Sequence, residues 1–173
     1  MTSSPSQIRY KAKKAEIMSL FFLQHRYELT RRALFDAHLL FNEGGLEQER
    51  LRLSFILYGA MSDRDWREVK TTDISFTEKN LHDELLPVLR LDRLKELGNT
   101  VEWARKLVFE TRGFVARLLP LTEPEKEFLD RLLDYGEIDP LLLTRDDEMA
   151  QRISEHPNIK WQALKAANYK RNK

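Results

Sequence analysis

Two acidic groups have the residue types and spacing for chemistry. Asp63 and Asp65 stand one residue apart in SDRDWREV, and Asp146, Asp147 and Glu148 stand side by side. On a strand, two carboxylates spaced in this way share a face and can hold magnesium against a nucleotide triphosphate. Here Ser62 precedes the first pair as a helix cap would, and alternate residues of a helix point about 200° apart. Acids in a first helical turn oppose the macrodipole instead. Capping is the preferred role for both groups, and no metal ligand set is expected.

The other reactive residue types fall out in turn. His25, His38, His82 and His156 are too scattered for a metal pair at i, i+4, and none lies in an HExxH context. They read as packing or surface residues. Gly44-Gly45 lacks the Lys-Ser/Thr that completes a phosphate loop, and no serine–histidine–acid order with a nucleophile elbow occurs. The absence of cysteine removes disulfides, thiolate zinc sites, iron–sulfur clusters and thiol nucleophiles together, and fits a reducing compartment.

Basic residues form a third group. Arg31 and Arg32 lie near Arg26 and, with Lys14, could make a phosphate-facing cluster, a solvated helix face being the plainer account. The net charge of +1 conceals an uneven distribution. Residues 1–15 carry +4 and residues 156–173 carry +5, with no acid in either, which leaves −8 on residues 16–155. Basic ends of this kind serve solubility, and they could also contact the phosphates of RNA.

These groups need a scaffold, and composition limits what it can be. At 173 residues, 42% hydrophobic and 33% charged, the chain suits one packed unit, with a basic segment over residues 1–15 leading into a helical domain over 16–173. Six glycines and six prolines are few for a strand-rich chain of tight turns. The expected fold is all-α, a bundle of about eight helices. The longest nearly apolar run, Ile17 to Leu23, is far short of the roughly 20 residues that cross a bilayer. No membrane contact and no secretory signal are expected, which points to a soluble cytoplasmic protein.

Helical periodicity and stop signals place the elements. Helices are predicted from about Ile8 to His25, from the Thr30 cap to Gly44-Gly45, and from Leu46 to Tyr58 before Gly59 loosens the chain. Ser62 is expected to cap a short segment with Trp66 and Val69 on one face, and Thr77 another that Pro87 bends or splits. A long amphipathic stretch runs from Asn99 to Leu119. Thr122, Pro124 and Glu125 then mark a helix start whose face is Phe128, Leu129, Leu132 and Leu133 and whose stop is Gly136. Asp146 caps the next helix, and a last one holds Trp161, Leu164 and Ala167.

The run LLPLTEPEKEFLDRLLDYGEIDPLLLT, Leu118 to Thr144, followed by HPNIKWQALK from His156, resembles the tail of the AbiEii/AbiGii nucleotidyltransferase toxin family. The matching positions are Glu125 or Glu127, Phe128, Leu129, Gly136, Glu137, Ile138, Leu143, Thr144, His156, Pro157 and Trp161. YGAMSDRDWREV, DELLPVLR and RRALFDAHLLF are similar to the helical half of such proteins, so the resemblance extends from about Arg26 onward.

The resemblance implies toxin–antitoxin or abortive-infection phage defence, with transfer of nucleotides from a triphosphate, with magnesium, onto a target such as the acceptor end of transfer RNA. The family's catalytic Gly-Ser motif and paired carboxylates, carried on a mixed sheet, have no counterpart here. Asp36 matches a later family aspartate, but Ala33 stands where its companion would be, and no lysine lies in the turn before Arg26 where the family has one; Lys14 is the nearest and does not take over that role. The chain is therefore expected to be catalytically incompetent alone, needing no cofactor by itself. Magnesium and a nucleoside triphosphate would enter with a separately encoded catalytic half. The alternative is a non-enzymatic module that binds a cognate antitoxin, a catalytic partner or RNA.

Overall fold

The computed structural model describes residues 38, 39, 42, 47–89 and 97–171. The helix predicted from Ile8, the basic segment 1–15 and Gly44-Gly45 lie outside the described residues; of the helix predicted from Thr30, His38, Leu39 and Asn42 are described and are helical. Among the described residues every regular element is helical and there is no strand. Six α-helices follow in order: α1 Gln48–Ala60, α2 Glu78–Asn80, α3 Thr100–Val115, α4 Glu123–Asp130, α5 Asp147–Glu155 and α6 Pro157–Arg171. The windings of α2 and α4 widen without a break through Leu81–Leu85 and Arg131–Tyr135, respectively.

The starts and stops are local chemistry. Asn99 caps α3 by accepting from the amides of Val101 and Glu102. Thr122 and Glu125 form a capping box on α4, the Glu125 carboxylate accepting from the Thr122 N–H at 2.7 Å. Asp146 caps α5 through the Met149 amide. At the other end of α4, Gly136 adopts φ 72°, and the amides of Gly136 and Glu137 donate to the carbonyls of Leu132 and Arg131. This is the left-handed stop that glycine permits.

Three expectations change. Gly59 does not loosen the chain but lies inside α1, where its bare Cα receives the Trp66 ring; an added Cβ would meet ring atoms at 2.2 Å. Asp65, not Ser62, caps the short segment, which is one 3-10 turn over Trp66–Glu68; the Ser62 hydroxyl turns back to donate to the Gly59 carbonyl. The long helix ends at Val115, four residues early. There Arg117 and Leu118 donate to Phe114 and Val115 in tighter turns that swing Leu118 into the core ahead of Pro120. Pro87 behaves as expected, sitting in a separate 3-10 turn over Leu86–Val88.

The main core joins Phe55 and Ile56 of α1 with Trp66, Leu107, Leu118, Phe128, Leu129, Leu132 and Ile159. The Phe55 and Trp66 rings meet at 5.0 Å and 57°. A second cluster, Leu81, Leu85 and Ala104, shares Phe76 and Trp103 with the first. A part-buried ion pair ties α1 to the start of α4: Arg52 donates through Nε and Nη2 to both Glu125 oxygens, at 2.5 and 2.7 Å, and to the Pro120 carbonyl at 2.9 Å. Burial pushes the Glu125 carboxyl up, but Arg52 and the Thr122 amide outweigh it and hold the group below its ordinary range.

A carboxyl depressed in the folded state stabilises above its unfolded value, about 4.3, and that stability is lost as pH falls through the lower folded value. Glu125→Gln is expected to cost about 2 kcal/mol at pH 7, because it leaves Arg52 partly buried without its counter-charge. The gap from the unmodified chain in urea unfolding should narrow from about pH 5 downward. Gly136→Ala should cost about 2 kcal/mol or more, since alanine resists a positive φ and its Cβ would stand 2.5 Å from the Ala163 carbonyl oxygen.

Candidate functional site

The sequence-predicted site residues Asp36, Lys14, Arg26, Arg31 and Arg32 lie outside the described residues. The acidic pairs do have places. Asp65 accepts from the Arg67 amide and guanidinium, and this hydrogen bonding holds its carboxyl below the ordinary range. Arg67 reaches on to Asp130 at 2.8 Å and Asp134 at 2.6 Å, and Asp65 and Asp134 together raise its already high pKa. Asp63 stands 3.4 Å from the Lys165 ammonium. Asp146 caps α5, with Asp147 and Glu148 in its first turn.

These contacts bear on magnesium. The carboxylates that gather most closely, Asp65, Asp130 and Asp134, surround an arginine that supplies the counter-charge a cation would need to bring. Among the described residues no group of three or more His, Cys, Asp or Glu is placed to hold a metal ion. The donor set there does not fit the magnesium that the resemblance implies. Of the histidines, His38 Nε2 lies 2.6 Å from Glu110, and the His156 ring nitrogen accepts from the Asn158 amide at 3.3 Å.

The residues that carry the resemblance form one connected unit with clear structural duties. Glu125 caps, Phe128 and Leu129 are wholly buried, Gly136 stops α4, and Ile138 and Leu143 pack against the core. The Thr144 hydroxyl accepts from the Asp146 amide ahead of α5. His156 ends α5, and Pro157 opens α6, where a missing N–H costs nothing. Unlike the buried Phe128 and Leu129, Trp161 is 57% exposed.

Its exposure follows from how α6 is held. Gly136 meets the helix at Ala163 and Ala167, and the small side chains there allow the close approach. Ile159, Gln162, Ala163 and Ala166 face inward, and the buried Gln162 amide donates to the carbonyls of Met61 and Ser62. That rotation turns Lys160, Trp161, Leu164, Lys165 and Asn168 outward, all exposed, at i, i+1, i+4, i+5 and i+8. The Lys165 ammonium lies 5.3 Å from the Trp161 ring centroid. Trp161 and Leu164 were placed in this helix by periodicity, but alanine suits either side of a helix, so only the structure reveals which way they point.

No family model, curated protein or solved structure matches this chain. No helix among the described residues is long and apolar enough to cross a membrane.

If α6 is held as described, Trp161→Ala should change stability by less than about 0.5 kcal/mol, because it removes an exposed side chain. Gln162→Leu should cost about 1–2 kcal/mol by leaving the buried carbonyls of Met61 and Ser62 without their donor. Urea midpoints of the two variants distinguish these outcomes.

Proposed function

We propose that this chain is the helical region of an AbiEii-type nucleotidyltransferase toxin, incompetent in transfer alone, and that it works by binding a separately encoded catalytic half or a cognate antitoxin. The observation that carries this reading is the contrast inside the resembling segment. Glu125, Phe128, Leu129 and Gly136 cap or pack, whereas Trp161 is held outward by a helix whose inner face is already filled. An exposed tryptophan on a well-anchored helix is the kind of residue that anchors protein interfaces.

The assignment of chemistry to a partner follows from charge. Nucleotide transfer needs a divalent cation to neutralise the triphosphate in the transition state. The carboxylates clustered among the described residues, Asp65, Asp130 and Asp134, are taken up by Arg67. Magnesium and the triphosphate therefore belong with the catalytic half, and a target such as the acceptor end of transfer RNA would be presented to the assembled pair. Toxin–antitoxin control or abortive infection would then act on the assembled pair.

Co-expression of the tagged chain with the products of its neighbouring reading frames, followed by a radiolabelled nucleotide-transfer assay on total transfer RNA, tests the proposal. Label transfer is expected with magnesium and a co-purified partner, and not with the chain alone. Transfer by the chain alone, or no neighbouring product retained by the tagged chain, would overturn it; a product retained without transfer is the result expected of an antitoxin.

A further inference from the structure

The outward stripe of α6 has an order that goes beyond mere exposure. At 100° per residue, Leu164, Asn168 and Trp161 lie between Lys160 and Lys165 on the exposed arc, with Asn158 and the exposed Tyr169 beyond Lys165. Trp161 and Leu164 are 57% and 62% exposed, one turn apart. Residues 156–171 contain Lys160, Lys165, Lys170 and Arg171 and no acid. An apolar centre bordered by one sign of charge is the layout by which one helix selects another, with flanking charges choosing the partner.

We infer that this face is the docking site for an amphipathic helix of a partner protein, whose apolar stripe is edged by Asp or Glu. Charge complementarity commits the occupant: carboxylates on both borders would meet Lys160 and Lys165 while apolar side chains cover Trp161 and Leu164. A nucleic-acid strand fits less well. Trp161 and Tyr169 offer faces on which bases stack, but Asp63 stands 3.4 Å from Lys165 between them, where it would repel a continuous phosphate chain, and Leu164 offers a base nothing to hydrogen-bond. A partner helix needs acid only at discrete positions, so it can avoid Asp63. The inference rests on the binding-module part of the proposed function and does not depend on nucleotide transfer.

Selection from a displayed library of helical peptides with randomised faces, against the full chain, tests it. Enriched peptides are expected to carry an apolar stripe edged with Asp or Glu and to lose at least tenfold in affinity for Trp161→Ala. The double variant Lys160→Glu, Lys165→Glu should instead prefer Lys-edged peptides, and this reversal cannot arise from simple misfolding. The inference would be overturned by three results: no Trp161-dependent enrichment, enrichment without acidic edges, or a single-stranded oligoribonucleotide that displaces the peptides through Trp161. A failed transfer assay leaves this selection interpretable, and a failed selection leaves the transfer assay interpretable.

Discussion

A side chain at position 136 would stand 2.5 Å from the Ala163 carbonyl oxygen, so α6 can lie against the end of α4 only because that residue is glycine. The same glycine takes the left-handed conformation that ends α4. Two constraints thus meet in one residue, a backbone turn and a helix contact. The contact determines which side of α6 is buried: Ala163 and Ala166 go inward, Gln162 reaches the end of α1, and Trp161 is left on the outside. The candidate interaction face is a consequence of packing on the opposite side of its helix.

Charge is distributed on the same principle. Arg52 is used to neutralise Glu125 at the start of α4, and Arg67 to join the 3-10 turn to the end of that helix through Asp130 and Asp134. These pairs link segments more than 60 residues apart. Because their partners are arginines, the acids have little left to offer a cation. On α6 the reverse holds: Lys160 and Lys165 project from a helix without acids of its own, and Asp63 lies across from Lys165. At these sites the acids are committed to structure, while Lys160 and Lys165 face outward.

The helix boundaries were legible where one residue type does a local job. Thr122, Pro124 and Glu125 announce α4, Gly136 its stop and Asp146 the start of α5, since each acts through its own backbone within three or four positions. Local signals failed where the decisive contact is distant or ambivalent. Gly59 signals a break by propensity but serves as the seat for Trp66. Ser62 and Asp65 are both good caps, and the pull of Arg67 favours the aspartate. The Arg52–Glu125 pair has no short-range signature at all. The outward turn of Trp161 was illegible because Ala163, Ala166 and Ala167 fit equally well in a core or in water, leaving the inner face to be decided by Gly136.

The central claim is that the outer face of α6 is where a partner sits. Hydroxyl-radical footprinting of the chain, alone and bound to a co-purified neighbouring gene product, reads it most directly. The account predicts that oxidation of Trp161 falls sharply in the complex while that of Phe109, 78% exposed on α3, is unchanged. Protection of Phe109 with Trp161 still reactive would place the partner elsewhere and contradict the account.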